Sequence, residues 1–469
     1  MKKFSIPPPL LERIPLFNYP NQISGYLTPF PTRYPIMKPT AKFRSFLLAS
    51  SVFAAPAAPA AILYWDGNAT QTANADGGAG NWDDNNLTNW DTLATAGADS
   101  VWLSSNPDSA VFGATAGAVT LTAPITVGGL TFNTTAYQLI SNAPNTLSFG
   151  AANNTVTLNN IALVNLTGSF GGSGNVSFVA SNPSTAGEAR FNGTSTGGWS
   201  GSTTIGGGAT VSVLSSNQAL LNTTGITLNG GGMTIGGVDS TQGALDKVSN
   251  SAGITSNGGT ITYTNTSGAG VYAETLGSVA LTSGALNVIL TNNQASTGSQ
   301  TLTLSGLTRT GAPNTSAVSF SATGGLTTTK NMVVVNGATA TVANEIVGPW
   351  ATVGTAANAQ TDYAVYNSSA QVVAREIAAT TEDFWSSGTN VTLGGGTTLT
   401  ATRSLNSLRY TGAAGALALG SFNLETSGLL NGGSGLLTVS GGGTLTTASG
   451  RKALRHPRLQ CHHRQLSDQ

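Results

Sequence analysis

The feature that most constrains this chain is a two-residue alternation interrupted by glycines, seen in FNGTSTGGWSGSTTIGGGATVSV, Phe191 to Val213. Ala209, Val211 and Val213 alternate with Thr210 and Ser212, the period of a strand that buries one face. Gly206, Gly207 and Gly208 precede it at a corner where positive φ is expected. Looser versions recur as TVTL (155–158), GITLNGGG (225–232), GGTITYTN (258–265), TLTLSG (301–306) and LLTVSGGG (436–443). No convincing helical periodicity separates them, so the chain is expected to be all-β. With 60 glycines and only 8% charged residues, it lacks the composition of an ordinary α/β enzyme. A hydrophobic fraction of 39%, placed at strand spacing, argues for order over disorder.

The same stretch resembles the autotransporter-associated β-strand repeat. Phe191 stands at its leading apolar position, Gly193 at its first glycine and Trp199 at its aromatic, with Gly201, Thr203, Thr204 and Ile205 in register with its core. Ser195 or Thr196 stands where that repeat usually has asparagine, and Ala209 and Val211 straddle its leucine position. WDGN…GNWDDNNLTNWD (65–91), EIVGPWATVG (345–354) and TDYAVYN (361–367) look like companions of the repeat in large secreted bacterial proteins. The resemblance implies a right-handed parallel β-helix in a secreted passenger, and it brings no catalytic residues.

An antiparallel sandwich would give similar short strands. The Asn-Gly pairs at 192–193, 229–230, 257–258, 336–337 and 431–432 suit hairpins and solenoid corners equally. The repeat resemblance favours the solenoid, in which turn asparagines can ladder from coil to coil. At ~20 residues per coil, 62–450 would make roughly nineteen coils, about 90 Å of stacked strands.

In order along the chain, residues 1–36 are proline-rich and without repeats, and are expected to be disordered. They read as a start assigned upstream of the true one, or else as a long leader. Residues 37–60 read as a signal peptide. Lys38, Lys42 and Arg44 precede the apolar run Phe46 to Ala55, and Ala58-Pro59-Ala60 sets cleavage before Ala61. That run is too short to span a bilayer. An ordinary buried helix is the plainer alternative.

Residues 61–112 hold Trp65, Trp82, Trp90 and Trp102 among seven aspartates. They are expected to cap the solenoid; the alternative is a carbohydrate platform of aromatic faces and aspartates. The β-helix then covers 113–344 and 387–450. Between them, 345–386 is expected to be an irregular insertion with Glu345, Asp362, Arg375, Glu376, Glu382 and Asp383 among Trp350, Tyr363, Tyr366, Phe384 and Trp385. Its bland reading is a loop packed on the coils, and its sharp reading the acidic site of a β-helical polysaccharide hydrolase or lyase.

Residues 451–469, RKALRHPRLQCHHRQLSDQ, contain every histidine and the sole cysteine, Cys461, and are expected to be a disordered basic tail that binds no metal tightly. They suggest a fragment with a shifted frame or truncated end, and nothing in them could form a membrane barrel. With no histidine before His456, a histidine triad or histidine metal site in the body is excluded. The calcium nonapeptide GGxGxD is absent: GGAGNWD places Asp83 one residue late. GAGVYA (268–273) imitates a dinucleotide loop without a following helix. No cofactor, metal or catalytic residue is therefore assigned.

Between the basic ends, seven basic and seventeen acidic residues remain, a balance unsuited to nucleic acid. The expected function is an exported structural or adhesive surface protein, with polysaccharide or other surface glycans as partners and the export machinery engaged through the signal. The alternative is a polysaccharide-acting enzyme or a carbohydrate-binding module.

Overall fold

The computed structural model describes residues 60–67, 74–182, 186–195, 197–237, 245–265, 270–292, 298–312, 315–375, 377 and 379–447, with the backbone of 459–461. The expected signal peptide and the segment before it lie outside these residues, as does most of the expected tail.

The chain is a parallel β-helix. A 12-stranded and a 13-stranded sheet form its first and second faces, and short three-stranded sheets form the third. Each coil passes from first face to second to third. Gly225–Asn229, for example, lies on the first face and Gly232–Gly237 on the second, and Gly253–Ser256 returns to the first. The register is kept residue on residue. Leu166, Phe191, Val213, Ile235, Tyr263 and Leu290 form one column through the second face, all buried. On the first face the matching inner row runs Val156, Phe178, Ile205 and Leu228. In both columns each inward residue thus stacks on its counterpart one coil away, and each such side chain contributes about 1.5–3 kcal/mol of burial.

The glycine corner before the strand at 210 has positive φ at Gly207 and Gly208. The Asn-Gly steps also settle as corners. Gly193, Gly230, Gly258 and Gly337 are all left-handed, and Asn229-Gly230 and Asn257-Gly258 turn the chain between parallel sheets instead of closing hairpins. The expected asparagine ladders are present. Asn159 donates to Asn133 at 2.9 Å, Asn175 to Asn153 at 3.0 Å and Asn257 to Asn229 at 2.6 Å.

The coils are longer and fewer than expected. On the first face, Ser109, Gly129, Thr155, Ser177, Thr204, Thr227, Thr255, Ala280 and Thr308 are successive partners, 20 to 28 residues apart. The excess lies mainly between the second face and the next first-face strand. Between 195 and 252 the third face is reduced to the single bridge Leu220–Val248 among the described residues. Such loops do not disturb the stacked strands, so their length varies freely.

At the amino-terminal end Ile62–Trp65 is the last parallel member of the first face, paired with Ser109–Phe112. Trp90–Asp91 and Asp99–Ser100 then continue the sheet antiparallel. Trp65, Trp82, Trp90 and Trp102 are fully buried, with neighbouring ring centroids 4.8–5.1 Å apart, and the first three rest on Phe112. No face of these rings is open to a sugar. They close the apolar interior instead.

Residues 345–386 are more ordered than an irregular insertion. Ala351–Ala356 adds a last parallel strand to the second face, and Ala359–Tyr366 and Val372–Ala374 follow as an antiparallel meander. Alternation has the same period in parallel and antiparallel strands, so the sequence could not separate them. A second, three-sided stack follows, with its own core around Trp385, Leu405, Leu408, Tyr410, Leu417 and Leu424. Its coils are shorter: Val391, Leu408 and Leu429 are successive partners. Where a disordered tail was expected, the backbone of Leu459–Cys461 runs parallel to Leu437–Ser440. That outer strand offers unpaired peptide groups, which a passing extended segment can satisfy.

Candidate functional site

The acidic residues of 345–386 were the sequence's candidates for chemistry, and the structure gives several of them arginine partners. Glu382 opens a short 3₁₀ turn and lies 2.5 Å from Arg403 Nε, and its other oxygen accepts from Thr400 Oγ1 at 2.6 Å. The Arg403 hydrogen bond holds its carboxyl down at about 2. Asp362 lies 2.6 Å from Arg409 Nη2, with both side chains 13% exposed. Arg375 donates to the carbonyls of Thr341 and Val342. Glu376 lies outside the described residues. The Asp362–Arg409 pair joins the meander to the second stack, and Glu382–Arg403 ties the 3₁₀ turn to it, which are structural tasks.

Two buried carboxylates elsewhere were missed by sequence reading. Glu274 is 2% exposed and accepts from the backbone N–H groups of Lys247 and Val248; burial pushes it up to about 8. Asp91, fully buried in the cap, is pushed up to about 6 by burial first and then by Asp66 and Asp99. The signal for Glu274 was present. It shares strand parity with Tyr272 and Leu276, both buried. Gln300, with the parity of Leu302 and Leu304, likewise lies inside, between Asn265 and Asn331 at 2.9 and 2.8 Å.

The most site-like feature lies on the outer side of the second face. Glu188 and Arg190 point outward from Glu188–Asn192, since Ala189 and Phe191 point in. Their side chains form a two-point pair, Nε to Oε1 at 2.9 Å and Nη2 to Oε2 at 2.8 Å. The next rungs set Thr210 beside Glu188, Ser212 beside Arg190, and Thr234 beside Ser212. Together with Thr264 and Leu214 they line a groove of ≈ 430 Å³. Among the described residues, no protein group hydrogen-bonds the hydroxyls of Thr210, Ser212, Thr234 or Thr264. The corner ladders, by contrast, use their polar groups on one another.

Among the described residues no group of three or more acidic, histidine or cysteine side chains is placed to hold a metal ion. No helix is long and apolar enough to cross a membrane, which says nothing about strand barrels.

No family model matches the chain, and no solved structure does. Among curated proteins it is similar to "Adhesin BmaC autotransporter" of Brucella suis biovar 1 (strain 1330), 42% identical over 109 residues. The match takes in 23% of this chain and 3% of the adhesin's length.

Proposed function

We propose that this chain is an exported surface segment of the autotransporter passenger type, built from β-strand-associated repeats and acting by adhesion instead of catalysis. The observation that carries the reading is the similarity to an autotransporter adhesin, on a chain that folds as a parallel β-helix. Outward rows of threonine, serine and asparagine, low charge and a sealed aromatic cap fit a surface that makes contacts along its length. The Glu382 carboxyl, held low by Arg403, is poorly suited to take a proton from a substrate, and Asp362 is paired with Arg409. The signal read at 37–60 supports export, with the cell surface or exterior as the destination.

The test is direct. Beads coated with the full chain are expected to attach to cultured epithelial cells or to matrix-coated plates well above albumin-coated beads. Attachment no better than albumin, or turnover of any polysaccharide by the purified chain, would overturn the reading.

A further inference from the structure

We propose that the groove framed by Glu188, Arg190, Thr210, Ser212, Thr234 and Thr264 binds an uncharged oligosaccharide. This deepens the adhesive reading above and rests on it for the biological setting. Three observations carry it.

The first is size. A groove of ≈ 430 Å³ falls within the range of small-ligand sites, and its lining comes from four successive rungs of the second face. A linear ligand can therefore run from rung to rung.

The second is charge. Arg190 and Glu188 spend two hydrogen bonds on each other, so the pair presents no net charge. The guanidinium keeps further N–H donors and the carboxylate further lone pairs, side by side. A sugar hydroxyl is both donor and acceptor, and adjacent hydroxyls can meet both halves of such a pair. An anionic ligand would gain Arg190 but meet Glu188, and a cationic one the reverse.

The third is unspent hydrogen-bonding capacity. The half-buried Thr210, Thr234 and Thr264 bring hydroxyls to the groove without a protein partner among the described residues, while Ser212, 1% exposed, lies too deep to offer its own. Leu214 adds an apolar wall against which the C–H face of a ring can rest. Hydroxyls, an uncharged fork and one apolar wall suit a polyol ring better than a peptide side chain.

The experiment measures binding of gluco-, manno- and xylo-tetraose to the full chain by calorimetry, with a tetrauronate as the anionic comparison. Thr210→Val and Thr234→Val remove one hydroxyl each while keeping a β-branched residue in the strand. Thr204→Val removes an outward hydroxyl on the first face, away from the groove, and is the control. The inference expects at least one neutral tetraose to bind, ~10-fold weakening by each groove variant, which is the loss of about one hydrogen bond, and no effect of Thr204→Val. Melting of all three variants should match the parent, which excludes unfolding as the cause. No binding by any neutral tetraose, binding indifferent to Thr210→Val and Thr234→Val, or preference for the tetrauronate would overturn it. Beads that still attach to cells while no tetraose binds would defeat the groove and leave the adhesive reading standing. Tetraose binding without bead attachment would do the reverse.

Discussion

Arg409 in the second stack reaches Asp362 in the meander, Nη2 to Oδ1 at 2.6 Å, and donates from Nε to the carbonyl of Thr361 at 2.8 Å. This pair, with the apolar contacts of Ile346, Tyr363, Val365, Ile377 and Leu430, joins two separately cored stacks. Removing one partner of a buried pair strands the other's charge, so Arg409→Met is expected to cost about 3–5 kcal/mol. Replacing both, Arg409→Met with Asp362→Leu, should recover most of that, because Arg409 Nη1 is itself buried without a partner. Urea melting followed on both stacks checks this. A single variant as stable as the parent would show that the pair is not holding the joint.

The cap makes a second expectation. Trp82 is fully buried among Trp90, Trp102 and Phe112. Trp82→Ala should cost about 3–5 kcal/mol through lost burial and the cavity left behind. Trp82→Phe should cost clearly less, since the ring it keeps leaves a smaller cavity, while both variants remove the indole N–H that is buried without a partner. Thermal melting of the two variants gives the order directly. Equal losses would mean that ring volume at this position does not set the stability of the cap.

Acid and base act on different groups. Folding raises Asp91 from 3.8 to about 6 and Glu274 from 4.5 to about 8. The folded state therefore binds protons more tightly at both sites. Their contribution is full below the unfolded values and is lost as pH rises through about 6 for Asp91 and about 8 for Glu274. Glu382 behaves oppositely: lowered from 4.5 to about 2, it stabilises above 4.5 and loses that contribution as pH falls towards 2. The melting temperature should fall between pH 4 and 9, with Asp91→Asn removing the lower part of the fall and Glu274→Gln the upper. A melting profile that rises over this range would contradict the assignment.

Two glycines separate conformational strain from crowding. Gly168 has φ of 96°, and a methyl group there would run into the carbonyl oxygen of Ser141 on the neighbouring coil. Gly230 has φ of 75° with open space where a methyl would sit. Gly230→Ala should cost only the left-handed penalty, about 1–2 kcal/mol. Gly168→Ala should cost more, because the coils must also move apart. Denaturant midpoints of the two variants decide the order.

How far this was legible follows from parity. The alternation of Val211 and Val213 with Thr210 and Ser212 was readable, and the structure buries both valines, with Val213 in one column with Phe191, Ile235 and Leu290. Parity would also have placed Glu274 and Gln300 inside, although their polarity argues against burial until a buried partner is seen. The four tryptophans before Phe112, clustered in the sequence, are buried together in the structure. Coil length was not legible, because loops beyond the second face change without touching the stacked strands. The meander at 351–374 was hidden by the shared period of parallel and antiparallel strands. The pairs Arg403–Glu382 and Arg409–Asp362, and the groove at Arg190, depend on which residues meet after coiling, which no local pattern encodes.

The central claim is that successive coils stack in parallel and in register, so that outward residues form straight rows. Thr155, Ser177, Thr204, Thr227 and Thr255 are one such row on the first face. Spin labels placed in pairs, with Thr155 fixed and the second label moved along the row, measure it by pulsed electron resonance. The separation should rise linearly by about 4.8 Å per coil, reaching roughly 19 Å at Thr255 before the label linkers are allowed for. Separations that fail to rise linearly, or that place Thr155 and Thr255 far beyond that spacing, would contradict the parallel stack.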